Sequence, residues 1–167
     1  MEPDQFWGGE GSDVFWYDGL GKRAWSGNPN DPDDRSRDRM LEVSSFDRIL
    51  DWSTEDRFSV QRGPKDTEGY ATFRADSLDG ALTQATQILD AHNYGYLAAQ
   101  VGGDVVVFLN IAYQNSGPDR SIPGVVLGRP VDTEIRAGPE AGIILVGRTL
   151  DDIGIENFIA RPVAIAT

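Results

Sequence analysis

The spacing of apolar residues changes several times along the chain, and each change marks an element. Leu78, Ala81, Leu82, Ala85, Ile88 and Leu89 recur at helical spacing, which predicts one amphipathic helix over about 77–93. Ser77 is placed to cap its start, and Asp79 lies in the first turn, where a negative charge suits the helix dipole. Asn93 and Gly95 supply the stop. Two dense apolar runs follow, 96–101 and 105–109, on either side of Gly102-Gly103. That arrangement predicts a hairpin with a tight turn. Further strands are expected at 125–127 and 143–146, with Gly138-Pro139 turning the chain between them. Upstream, residues 41–60 hold two short strands around a turn at 53–56, and residues 70–75 form another. Val14, Phe15, Trp16 and Tyr17 put large side chains on both faces of a strand, which predicts burial on both. Thr149 is positioned to cap a single helical turn over 150–153. The apolar end, 157–167, reads as a final strand or as an export signal. The total is one helix and roughly eight to ten short strands, a mainly β fold.

One stretch stands apart. Residues 27–39 contain two prolines, mixed charges and no apolar side chain, and read as an exposed loop. Asp31, Asp33 and Glu42 fall at ligand positions of an EF-hand loop. Arg35 stands at another ligand position, and Ser36 replaces the glycine that the turn requires, so that reading fails. With 167 residues the chain amounts to a single domain, 1–167, with a core of useful size.

Charge narrows the partners. Fifteen Lys and Arg against 27 Asp and Glu give a net charge of −12. Nucleic acid and anionic membranes call for a basic face, so neither is expected, whereas cations are. There is no cysteine and therefore no disulfide; bound metal is one alternative staple. The acidic start Met1-Glu2-Pro3-Asp4 does not read as a signal peptide, and no apolar run reaches spanning length.

Candidate chemistry concentrates in Gly8-Gly9-Glu10-Gly11-Ser12-Asp13-Val14-Phe15-Trp16. Every fixed position of the nonapeptide G-G-x-G-x-D-x-U-x is filled, a pattern associated with Ca²⁺ in parallel β-rolls. Glycines let the backbone turn sharply and present carbonyls, an aspartate adds a carboxylate, and an apolar tail leaves as a strand. Ca²⁺ is a hard cation that takes such oxygens. The pattern occurs once; the next register, starting at Tyr17, places Lys22 where the aspartate would stand. Enzyme motifs are missing. The sole histidine, His92, sits at the expected helix C-terminus without a motif around it, and neither an H-E-x-x-H nor a phosphate-binding glycine loop occurs. Asp104, beside the hairpin turn, is open to binding a cation, but a polar residue at a hairpin is the default expectation.

The order of these segments resembles the C-terminal region of RTX, or haemolysin-type, calcium-binding proteins, including the C-terminal domain of serralysin-like proteases. Four passages carry the likeness: the nonapeptide at 8–16; Phe46-Asp47-Arg48-Ile49-Leu50-Asp51-Trp52 with Asp56-Arg57-Phe58; the hairpin at 95–110; and residues 146–153 with Asn157-Phe158-Ile159. The resemblance implies a short parallel β-roll-like edge packed on an antiparallel β-sandwich. It implies Ca²⁺ held by turn carbonyls around Gly9 and Gly11 and by the carboxylate of Asp13. It further implies a non-enzymatic, secreted module that leaves by type I secretion and folds on meeting calcium outside the cell. The alternative expectation is a structural or attachment component of a surface assembly, an S-layer or a virion, that binds protein partners through the same fold. The four tryptophans, Trp7, Trp16, Trp25 and Trp52, all lie in the first third of the chain. Core packing accounts for such residues in general, while an exposed aromatic patch would favour assembly.

Overall fold

The computed structural model describes residues 3–16, 41–60, 69–92, 94–110, 139 and 141–160. The loop expected at 27–39, the strand at 125–127, Tyr17, Trp25, Asn93 and the last seven residues lie outside them. In chain order the strands are β1 (Gln5–Phe6), β2 (Val14–Trp16), β3 (Asp47–Ile49), β4 (Arg57–Val60) and β5 (Tyr70–Ala75). Then follow helix α1 (Leu78–Ala91), β6 (Tyr96–Val101), β7 (Asp104–Leu109), β8 (Ala141–Leu145) and β9 (Phe158–Ala160). The fold is mainly β, as the apolar pattern predicts.

The helix begins where its cap residue places it. Ser77 Oγ accepts the Gly80 N–H at 3.1 Å, and His92 is the exposed C-cap. Because α1 crosses over between β5 and β6, these two strands run parallel, from Tyr70 opposite Tyr96 to Ala75 opposite Val101. The glycine pair after Val101 then turns the chain directly, and β6 and β7 are antiparallel. With β8, β3 and β1 they complete a six-stranded mixed sheet in the order β1-β3-β8-β7-β6-β5. A second, three-stranded sheet has the order β2-β4-β9 and is parallel throughout. Among the described residues antiparallel pairing is thus confined to β6, β7 and β8; the other pairs are parallel because the chain leaves the sheet between successive strands.

The large sheet is covered on both faces, which explains the nearly continuous apolar runs of β6, β7 and β8. On one face Leu97, Ala99, Val106, Phe108 and Ile144 pack against Ala81, Ala85 and Leu89 of α1 and against Phe46. On the other, Ala98, Val105, Val107, Ile143 and Leu145 pack against Ile49, Trp52, Phe58, Val60 and Phe158. The result is three layers: helix, mixed sheet and small parallel sheet. Gln100 ties the hairpin to the chain after β8. Its Nε2 donates to the carbonyls of Gly102, Asp104 and Arg148, and its Oε1 accepts the Leu150 N–H. Asp104 is the first residue of β7 rather than a turn residue, and its Oδ1 accepts the Gly147 N–H at 2.7 Å, a tie between the hairpin and the turn after β8.

One burial expectation is overturned. Val14 and Trp16 are exposed and Phe15 is half-buried. The sequence shows large side chains on both faces of β2, but among the described residues this strand ends its sheet, with β4 as its one neighbour.

Candidate metal site in a stack of three coils

The residues carrying the candidate chemistry lie in a stack of three strand–turn–strand coils. The first is β1, turn, β2; the second is β3, turn, β4; the third is β8, a longer turn and β9. In each coil the two strands belong to different sheets, so the turn is an arch between layers rather than a hairpin. The turn expected at 53–56 has this form. Gln5 and Phe6 lie opposite Arg48 and Ile49, and Asp47 to Ile49 lie opposite Ile143 to Leu145. In the other sheet Phe15 lies opposite Phe58, and Phe58 opposite Phe158. This register builds an aromatic ladder along the stack. Phe15 and Phe58 centroids are 6.4 Å apart, and Phe58 and Phe158 are 5.6 Å apart. Trp52 stacks on Phe58 at 4.6 Å and also meets Phe15 at 5.9 Å.

Polar side chains join the coils at their turns. Asp51 is placed beneath the glycine turn of the first coil: its Oδ1 accepts the Gly8 N–H at 2.9 Å and its Oδ2 the Gly9 N–H at 2.8 Å. Buried Asp56 accepts the Asp13 N–H (2.9 Å) on one oxygen and the Ser53 N–H (2.7 Å) on the other. Ser12 Oγ donates to the Glu55 carbonyl at 2.8 Å, and the Asp4 N–H donates to Asp47 Oδ1 at 3.1 Å. The third coil uses buried Asn157, whose Nδ2 donates to the carbonyls of Thr54 and Asp56. Trp52 Nε1 donates to the Asp152 carbonyl. Asp152 Oδ2 in turn accepts from the N–H and hydroxyl of Thr149, so Thr149 and Asp152 close the short 3-10 turn Leu150–Asp152.

Two of these carboxylates are electrostatically favoured in the charged form. Burial alone would push the Asp51 carboxyl up. The N–H groups of Gly9, Gly8 and Asp51 itself, with the Arg148 charge, outweigh burial and hold it below the ordinary carboxylate value. Asp152 is likewise held low, first by the Thr149 N–H against opposing burial, then by the Thr149 hydroxyl and Arg148. Tyr70, whose hydroxyl donates to the Ile153 carbonyl, is raised by burial and by nearby Glu156.

The three residues expected to hold a metal, Gly9, Gly11 and Asp13, come together in the first coil. Gly9 and Gly11 have φ of 97° and 117°, a region that L side chains rarely adopt. The Asp13 side chain folds back under Gly8, where a Cβ would lie 2.5 Å from Asp13 Oδ2. That oxygen is shielded from solvent and has no hydrogen-bond partner. A shielded carboxylate oxygen without a donor is costly, and a cation is one group that would satisfy it. The donor set fits Ca²⁺ in part: one unengaged aspartate oxygen and the carbonyls of a glycine turn are hard oxygen ligands. Among the described residues no cluster of three or more His, Asp or Glu side chains converges as a ready metal site. Asp51 and Asp56 already spend both oxygens on backbone N–H groups, so a cation here would rest on Asp13 and on main-chain oxygens.

The sequence reading names Asp51 and Asp56 only as part of the passage that carries the family likeness and does not find their role as staples between coils. The available signal was a 43-residue repeat, since Asp4, Asp13 and Phe15 recur as Asp47, Asp56 and Phe58. Comparison with protein-family models, with characterised proteins and with solved structures found no match to this chain.

Proposed function

We propose that the chain is a non-enzymatic, calcium-binding β module of the RTX type, acting outside the cell after type I secretion. The observation that carries this reading is the shielded, unpartnered Oδ2 of Asp13 within the turn formed by Gly8, Gly9 and Gly11. Ca²⁺ would be held by Asp13 and by turn carbonyls around Gly9 and Gly11. Its binding would fasten the first coil more firmly to the second, coupling metal to folding. Asp51 and Asp56 hold the coils together by hydrogen bonds in any case, so the metal adds to an arrangement that already has its own staples. The test is calorimetric titration of CaCl₂ into chelator-treated protein, with circular dichroism. Saturable binding that Asp13→Ala abolishes supports the reading. Gly8→Ala, which puts a methyl group against the Asp13 carboxylate, should weaken binding while the rest of the fold persists. Heat-silent titration with an unchanged spectrum overturns it.

A second reading, a component of a surface assembly, is favoured by the large apolar side chains that the first coil exposes. Ordered oligomers that form equally with and without calcium would select it.

A further inference from the structure

We infer that residues 3–16, the first coil, act as a strap that opens from and closes on the second coil as one unit while the rest of the fold stays intact. The inference goes beyond the calcium reading and does not depend on it. The strap is thinly enclosed. None of its residues is buried, whereas the second coil buries Ile49, Trp52, Asp56, Phe58 and Val60. Its strands are two and three residues long. Among the described residues Phe15 is its one side chain packed into the core, and that ring is only half-buried. Segments with so little buried apolar surface open at a fraction of the free energy of global unfolding.

Its bonds to the second coil are interlocked, so they are made and lost together. The strap donates main-chain N–H groups from Asp4 to Asp47, from Gly8 and Gly9 to Asp51, and from Asp13 to Asp56. In return the carbonyls of Asp4, Phe6 and Asp13 accept the N–H groups of Arg48, Leu50 and Arg57 at 2.9, 3.1 and 2.8 Å. These ties run the length of the strap, and each joins residues far apart in sequence. The entropy of closing that loop is lost once for the whole set, so after one tie forms the others follow at little further cost. Opening takes Phe15 off Trp52 and Phe58, its neighbours at 5.9 and 6.4 Å, and frees the three N–H groups of the second coil. The opposite face of the large sheet, where Leu89 of α1 packs, is left as it was.

The test is hydrogen exchange of the whole chain in chelator, read amide by amide by NMR, so that calcium plays no part. The N–H groups of Gly8, Gly9, Asp13, Arg48, Leu50 and Arg57 should share one protection factor, about tenfold or more below that of the β6–β7 hairpin. Phe15→Ala should lower it for all of them by one common factor, about fivefold or more. Leu89→Val, on the opposite face, should lower the protection of the hairpin by about the same factor and leave this set unchanged, because Leu89 stays packed in the open form. The inference is overturned if the members of the set show unrelated protection factors, since that is fraying without a unit. It is equally overturned if they exchange with the hairpin and follow Leu89→Val, since the strap then opens only when the whole chain unfolds.

Discussion

The first and second coils are built on one pattern and live in different surroundings. Each runs strand, turn, strand, with aspartates and a phenylalanine at equivalent places: Asp4, Asp13 and Phe15 in one, Asp47, Asp56 and Phe58 in the other. The second coil has a coil on each side, and Phe58 and Asp56 are buried. Among the described residues the first has a coil on one side, and Phe15 is only half-buried. The two aspartates diverge most. Asp56 gives both oxygens to backbone N–H groups, whereas Asp13 Oδ2 has no partner. The same residue type is therefore a staple where a neighbouring coil supplies donors and a candidate ligand where none does. Neighbours, rather than residue type, set the role.

Substitution at the ladder should separate the coils most widely. Phe58→Ala is expected to cost about 3–5 kcal/mol, the range for truncating a buried aromatic. Phe15→Ala should cost about 1–2 kcal/mol, since a half-buried side chain loses less on truncation. Urea unfolding of each variant measures both, and equal costs would mean that the first coil is as enclosed as the second.

At the aspartates the sign should reverse. Asp56→Ala leaves the N–H groups of Asp13 and Ser53 without acceptors and should cost about 2–4 kcal/mol. Asp13→Ala in chelator removes a shielded oxygen that has no donor and should leave stability unchanged or raise it by up to about 1 kcal/mol. With calcium present the wild type should gain stability that Asp13→Ala does not. Loss of stability by Asp13→Ala in chelator would show that its carboxylate is a structural staple as well.

A smaller contrast lies in the turns. Gly11 has a φ of 117°, and Gly11→Ala should cost about 1–2 kcal/mol through backbone strain alone. Thr54, the exposed residue at the equivalent place in the second coil, bonds through its carbonyl and not its side chain, so Thr54→Ala should be nearly neutral. Thermal unfolding of the pair compares them directly.

The smallest effect concerns acid. The carboxyls of Asp51 and Asp152 are held below the ordinary value of 3.8 in the folded chain. Their stabilising contribution is therefore present above that value and is lost as pH falls through the folded pKa. Amide shifts of Gly8 and Gly9 should titrate with a midpoint below 3.8, and Asp51→Asn should remove that titration. Asp152→Asn should flatten the acid limb of the stability profile without moving the Gly8 and Gly9 signals.

Local chemistry was sufficient for many of the elements. Helical spacing with Ser77 as cap specified α1, and Gly102-Gly103 between two apolar runs specified the β6–β7 hairpin, because both depend on neighbours in the chain. Thr149 also caps its short turn as read. The glycines of the nonapeptide turn the chain ahead of β2, since positive φ at glycine is a local property. What the chain alone did not yield was long-range. Whether Trp16 is covered depends on which strand lies beyond β2, a fact of sheet order. That Asp51 holds Gly8 and Gly9, and Asn157 the carbonyls of Thr54 and Asp56, depends on a register between coils about forty and a hundred residues apart. Sequence determined which residues can turn, alternate or cap; tertiary stacking decided which carboxylates found donors, because a hydrogen-bond partner is supplied by the neighbouring coil and not by the residue itself.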